Sequence, residues 1–447
     1  MVDRQTAKWV RNKNDEVSCD DGCYFDLKSA ERVREFFLAF LRHSKGQWAD
    51  KEFEFLPWQW ENLIAPLFGW KRPDGTRRYR RAGVWVPKKQ GKSAICSGIS
   101  LYMLIGDREP GAEIYNAAAD RDQASIVFNE AANMVQKSPM LAEPLEVIRS
   151  TKRITYRATN SFYRALSADV PTKEGINWHC LIFDELHAQK SRDLWDTLVY
   201  GGAARRQPLM LSISTAGYDR HSIGYEQYSY AKGVIEDRII DTSFFGYVAE
   251  ALPEENWTDP KVWRKANPSL GVTVQEDDMA QACKEAQESP LKENAFRRYR
   301  LNQWVTQETR WLSIDKWDAC DGETKLEDLI GRECFVGIDL ASTTDIAAAA
   351  LLFPNETGYD VLPFFWVPSE SAAQREKTDR VPYRHWIKTG IIKATEGDVI
   401  DYDVIRADLN ALNDTYRIRE IGIDRWNATQ LSTQLQSDGF EVFAFGQ

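Results

Sequence analysis

The chain of 447 residues has no long apolar run: its most apolar stretch, residues 346–353, lies between Asp345 and Pro354. A membrane-spanning helix needs roughly 20 such residues, so the sequence reads as a non-membrane chain. Residues 1–17 scatter Arg4, Lys8, Arg11, Lys13, Asp15 and Glu16 among isolated apolar positions and form no signal-peptide core, which argues against secretion. Cysteine is sparse. The seven cysteines are odd in number and scattered, which excludes a complete disulfide framework and favours a reducing compartment. Cys19 and Cys23 have no second Cys/His pair at zinc-like spacing, which argues against a metal site there. Positive charge is also lacking, with 57 basic against 67 acidic side chains and a net charge of −10. Such a chain does not coat nucleic acid by bulk charge, and any polyanion must meet a local basic patch. No internal repeat or low-complexity tract occurs.

What is present is enough to fold. Hydrophobic residues make up 43% and aromatics 12%, so real cores can be buried. At about 100 to 200 residues per domain, the length predicts two or three domains. Residues 29–43 alternate apolar and charged positions with helical period, with Ser29 expected as the N-cap and Arg32 on the first turn. From about 80 to 217 the apolar runs AGVWV, AEIYNAAA, HCLIFD and PLMLSIST alternate with helical stretches, the order of a parallel α/β sheet. Residues 218–310 turn charged and Tyr/Trp-rich, punctuated by Pro253, Pro260, Pro268 and Pro290, and read as a lid or linker. Strands from Cys334 onward then open a separate mixed α/β domain. The expected division is 1–50 N-terminal helical segment, 51–217 nucleotide core, 218–310 lid, and 311–447 last domain.

Four constellations carry chemistry. The run VWVPKKQGKS at 84–93 is a strand, a loop and a helix start. Phosphate binding needs helix N-terminal amides, a lysine for the β/γ phosphates and a hydroxyl for Mg²⁺. Gly91, Lys92 and Ser93 supply these, although Val86 replaces the first glycine of the full motif, and alone the run also fits a basic surface turn. The run CLIFDE at 180–185 is an apolar strand ending in two acids. Asp184 is placed to hold Mg²⁺ and Glu185 to orient and deprotonate water; the alternative is that the acids cap a helix over 185–189. A third strand ends at Ser214 and Thr215, hydroxyls at the sheet edge beside the γ-phosphate, and Gln59 offers an amide for the edge of adenine. The fourth is FVGID at 335–339 with EIGID at 420–424. If these strands are neighbours, Asp339 and Asp424 can share divalent metals, with Asp345 close enough in sequence to join. Strand-ending aspartates in αβ turns are an equally good account from the residues alone.

The ordered set resembles the large terminase subunit of tailed bacteriophages. It comprises Trp58-Gln59, KKQGKS at 88–93, NAAADRDQA at 116–124, LIFDELHA at 181–188, SISTAG at 212–217, FRRYRLNQWV at 296–305, GIDLASTTD at 337–345 and GIDRWNATQL at 422–431. The resemblance covers almost the whole chain. It implies a P-loop ATPase of the ASCE type joined to a ribonuclease-H-like nuclease. Such a machine hydrolyses ATP with Mg²⁺, pulls double-stranded viral DNA into a procapsid, and cuts the concatemer with Mg²⁺ or Mn²⁺. By position it implies that Lys88, Lys89, Gln90, Gly91, Lys92 and Ser93 hold ATP, that Ser93 and Asp184 hold the ATPase metal, and that Glu185 is catalytic. It also implies Gln59 as adenine reader, Ser214 and Thr215 as coupling residues, and Asp339 and Asp424 as nuclease acids. Lys88 stands where the family often has an arginine, without that residue's bidentate fork. A third nuclease acid is expected beyond Gln447, so that weak cutting is expected of this chain. The implied partners are the small terminase subunit and the portal protein, the implied assembly a homomeric ring of five, and the implied setting the host cytoplasm.

Between Lys71 and Lys92 nine basic residues face one acid, which makes Arg77, Arg78, Arg80 and Arg81 candidates for DNA phosphate contact, with Lys292, Arg297, Arg298 and Arg300 as another cluster. Two other functions compete. Asp184-Glu185-Leu186-His187 also fits a helicase box, but no arginine-rich second motif follows residue 220. The other is an assembly platform that binds ATP without turning it over.

Overall fold

The structure is a computed structural model, and it describes residues 3–119, 121–166, 175–189, 191–305, 317–320, 322, 324–341, 346–356, 358–372, 376, 381–424 and 428–445. It divides into two compact units, Met1–Lys316 and Trp317–Gln447.

The first unit is built on an eight-stranded sheet. Its order is Phe244–Val248, Arg81–Trp85, Leu209–Ser214, Cys180–Asp184, Glu113–Ala117, Ser161–Leu166, Arg153–Tyr156, Leu145–Ile148. The first six strands are parallel and the last two pairings antiparallel. The central strands are apolar along their whole length because both faces are covered. Val84, Ile114, Ile182 and Leu211 enter one core with Ile95, Ile99 and Phe128 of the flanking helices. Their alternates Trp85, Tyr115, Phe183 and Met210 enter a second core with Trp195, Ile223 and Ala231. The strand ending in Ser214 lies between the strand that feeds the phosphate loop and the strand that ends in Asp184.

Two expected boundaries move. The N-terminal segment is helical over Arg4–Ala7, Lys13–Asp20 and Leu27–Phe40, but it is no separate body, because Phe36 and Phe37 pack into the first core beside Phe53 and Tyr102. The helix over Leu27–Phe40 is capped by Asp26 rather than Ser29: the Asp26 carboxylate accepts from Lys28 N, and the Ser29 hydroxyl donates to it. Ser29 lies inside the first turn, so the N-cap position falls to Asp26. The sheet also continues past Gly217, since Phe244–Val248 is its edge strand. Only the later part of 218–310 stands apart, where the helices Pro260–Ala266, Glu276–Glu288 and Pro290–Leu301 close a small core around Trp263, Met279 and Phe296.

The second unit is a six-stranded sheet in the order Lys393–Thr395, Tyr359–Pro368, Ala347–Pro354, Glu333–Asp339, Arg417–Asp424, Glu441–Phe445. The strands Glu333–Asp339 and Ala347–Pro354 alternate in burial; Val336, Ile338, Leu351 and Ile421 face a core completed by Ile405, Leu409, Leu431 and Leu435 of the helices Tyr402–Thr415 and Thr429–Ser437. Among the described residues no helix is long and apolar enough to cross a membrane.

Candidate active sites

The Arg81–Trp85 strand runs into the loop at 88–91, and the helix Lys92–Leu101 starts behind it with no side chain capping its N-terminus. Uncapped leading amides, reinforced by the helix dipole, make an anion seat. Gly91 holds φ 85°, and a Cβ there would lie 3.2 Å from Gln59 Nε2, so backbone angle and space both require glycine. The loop is held from the segment between the helices Pro260–Ala266 and Glu276–Glu288. Gln90, fully buried, donates to Asn267 Oδ1 at 3.1 Å and accepts from Ser269 N at 3.0 Å. Thr273 Oγ1 donates to Lys89 O at 2.6 Å.

Lys92 is buried and joins three chain segments. Its ammonium donates to Val86 O and Pro87 O, each at 3.2 Å, and to Thr215 Oγ1. It also lies 3.5 Å from Glu185 Oε1. Asp184 is buried, and its Oδ1 has no hydrogen-bond partner among the described residues. Burial pushes its carboxyl up to about 7, and the Glu185 charge adds to this. Burial also works to raise Glu185, but Lys92, His187 and Lys88 outweigh it and hold that carboxyl at about 2. The two acids are thus driven apart in proton affinity. Glu185 takes the left-handed backbone region at φ 50°, pinned by its amide to Ile213 O at 2.9 Å. The turn behind it, Leu186–Ala188, receives no side-chain cap from Glu185, so the helix-cap reading of the acids does not hold.

Ser214 and Thr215 sit where the sheet order puts them, between the two motifs. Thr215 touches Lys92, while Ser214 Oγ lies 2.9 Å from His187 Nδ1 and accepts from His187 N at 3.1 Å. Ser93 lies with Lys88, Lys89, Gly91, Lys92 and Glu185 along a cleft of about 670 Å³. Lys88 sets its ammonium 3.6 Å from the centre of the Tyr299 ring. Gln59 does not line this cleft. It is buried, its Oε1 accepts from Leu56 N at 3.0 Å, and its Nε2 donates to Gln90 O at 3.4 Å, so its amide braces the loop.

His187 and Asn302 were not given roles from sequence, and Arg298 was read only as part of a basic cluster. His187 lies between Glu185 and Ser214, and it appeared only as a letter of the LIFDELHA run and of a helicase box. Arg298 donates to Ala216 O at 3.1 Å from between Tyr218 and Tyr299. Asn302, left-handed at φ 56°, accepts from Ala216 N at 2.7 Å and donates to Ala249 O at 2.9 Å. An Asn just past a helix end is a signal for that conformation, but its long-range partners have no local signature.

Three of the eight clustered basic residues, Arg77, Arg78 and Arg298, are buried. Arg77 and Arg78 are each 2% exposed, paired to Asp107 and Asp15 at 2.7 Å, which removes them as DNA contacts: buried guanidiniums must be paired. Arg80 donates to Arg206 O at 3.3 Å, and Arg81 lies 3.7 Å from Asp241. Lys292, Arg297 and Arg300 pair with Glu285, Glu293 and Asp278.

In the second unit the strands ending in Asp339 and Asp424 are parallel neighbours, with Ile338 opposite Ile423. The next residues, Asp339 and Asp424, therefore stand side by side at the carboxyl edge, on the face opposite the core. Asp345 lies outside the described residues. Among those described, no group of three metal-ligating side chains forms.

The family model "Terminase large subunit, ATPase domain" matches residues 57–233 and the model "Terminase large subunit, endonuclease domain" matches 238–445. The large terminase subunit of Enterobacteria phage HK97 is 30% identical over 430 residues, which cover 94% of this chain and 82% of that protein. The chain belongs to the terminase large subunit family. A further relative, Protein YmfN of Escherichia coli (strain K12), is 30% identical over 275 residues, or 59% of the terminase and 60% of that protein. The crystal structure of the HK97 large terminase superposes with a TM-score of 0.55 at 28% identity, covering 94% of the terminase and 85% of that chain. The terminase is therefore a DNA-packaging ATPase and endonuclease that uses a nucleotide and divalent metal, and neither the helicase nor the platform reading is favoured.

Proposed function

We propose that ATP is hydrolysed at the Lys92–Asp184–Glu185 site and DNA cleaved at the Asp339–Asp424 edge. The observation that carries the first assignment is the convergence of Lys92, Glu185 and Thr215 in front of an uncapped helix N-terminus. On binding, Lys92 exchanges its carbonyl partners for β/γ phosphate oxygens, and the amides of 92–94 turn toward the same anion. The unpartnered Asp184 Oδ1 and the Ser93 hydroxyl form an oxygen donor set suited to Mg²⁺, which supplies neutralisation of the phosphate charge. Glu185, ionised, orients and deprotonates the attacking water, and His187 fixes its carboxylate. Ser214 and Thr215 contact His187 and Lys92 from one strand end, so a change at the phosphate is transmitted to the sheet edge through both. Arg298 and Asn302 hold the next residue, Ala216, and carry that edge to the helical lid.

Asp339 and Asp424 would hold Mg²⁺ or Mn²⁺, and the metal would supply charge neutralisation at a scissile phosphodiester. Double-stranded viral DNA, the small subunit and the portal are the expected partners, with a homomeric ring, a pentamer by family resemblance, docked on the procapsid in the host cytoplasm. The family relationship supports these partners.

Steady-state ATPase of Glu185→Gln tests the first site. The expected outcome is a loss of roughly 10² to 10⁴ in kcat with nucleotide binding retained. Turnover within twofold of the parent would remove Glu185 from the mechanism.

A further inference from the structure

The cleft is lined by aromatic side chains as well as by the phosphate loop. Residues 43–48 line it together with Val272, Thr273 and Gln275, while Gln59, the side chain expected to read the base, is buried outside it with its amide spent on main chain. A purine needs a flat apolar partner, and two lining residues offer a ring. His43 is already stacked on Phe53, centroids 4.5 Å apart at 19°. Trp48 is 38% exposed and lies on the cleft wall, with Lys51 5.1 Å from its ring centre.

The segment carrying Trp48 is a built platform. His43 N donates to Lys51 O at 3.0 Å and Asp50 N to His43 O at 2.9 Å, closing the loop on itself. Ser44 donates to the Glu130 carboxylate at 2.7 Å, and Lys137 pairs with Asp50, which fasten the loop to the helix Arg121–Lys137. A fixed loop that leaves a large indole exposed on a cleft wall has met the entropic cost of presenting it.

We propose that Trp48 is the base platform of the ATP site, stacking on the purine while the phosphates lie at Gly91–Lys92–Ser93. This rests on the reading of the cleft as the nucleotide site. Base stacking is tolerant of base identity, so Trp48 contributes affinity for the nucleoside and not the choice between ATP and GTP.

The test compares Mg-ATP, Mg-GTP and Mg-tripolyphosphate, which lacks a base, by calorimetric titration. Trp48→Ala is expected to weaken ATP and GTP roughly 5- to 100-fold, to leave tripolyphosphate unchanged, and to be largely rescued by Trp48→Phe. In fluorescence, the parent-minus-Trp48→Phe difference emission is expected to be quenched by ATP and not by tripolyphosphate. ATP affinity unchanged in Trp48→Ala, or weakened no more than tripolyphosphate, would overturn the proposal. A parent chain that binds neither ligand would instead overturn the nucleotide-site reading beneath it.

Discussion

Lys92 and Asp107 show how far a single side chain's meaning depends on what surrounds it. Lys92 in GKS was legible because the chemistry demands a lysine beside a helix start, and its partners lie where that demand puts them. Asp107 carried no motif, yet it pairs with buried Arg77 at 2.7 Å and lies 2.8 Å from His179 Nε2. Although burial opposes it, Arg77 and His179 hold the Asp107 carboxyl well below the usual carboxylate range. A depressed folded-state pKa gives stability that is fully present above the unfolded value of about 3.9 and is lost as pH falls through the folded one. Asp107→Asn leaves Arg77 buried and unpaired and is expected to cost about 3 kcal/mol or more at neutral pH. In denaturant titrations the gap between parent and variant should stay flat above about pH 5 and narrow below about pH 4. A gap that widened toward acid would contradict the ion pair. The same burial explains why the arginine run near 77–81 misleads as a DNA patch: a sequence shows charge but not its partner.

At the level of elements, periodicity located the strands that matter. The helical period read over 29–43 appears as the helix Leu27–Phe40, because its apolar face recurs at 3.6 residues. The strands Leu145–Ile148, Arg153–Tyr156, Ser161–Leu166 and Phe244–Val248 were not read, since each is only four to six residues long and carries no continuous apolar run. The N-terminal helix was found, but its docking was not. A Cβ on Gly98 would come within 2.3 Å of the Phe37 ring, so the helix behind the phosphate loop and the helix Leu27–Phe40 touch at a glycine. Gly98→Leu is therefore expected to destabilise the first unit by about 1 to 3 kcal/mol. Urea titration followed by tryptophan emission checks this, and no change in midpoint would place the N-terminal helix away from the core.

Across the whole molecule, the two candidate sites lie in separate compact units and share no side chain. Substitutions in one should therefore spare the chemistry of the other. Asp339→Ala is expected to abolish metal-dependent nicking of plasmid DNA while leaving DNA-free ATPase within about twofold, because removing a metal-binding carboxylate forfeits charge stabilisation only where the metal sits. Any nicking that persists undiminished in that variant, or a matching fall in ATPase, would break the assignment of Asp339.

The order of strands, phosphate loop, paired acids and strand-ending aspartates is written into the chain itself, because each rests on a local requirement of residue type: apolar runs for buried strands, glycine and lysine at a helix start, acids at strand ends. Whether those local pieces form sites depended on register and burial, which no window of sequence contains. Only the fold set Thr215 against Lys92, placed Asp339 beside Asp424, buried Arg77, Arg78 and Gln59, and left Trp48 on the cleft wall. The physical reason is that these are contacts between segments far apart in the chain, decided by which faces the sheet buries and which neighbours pair.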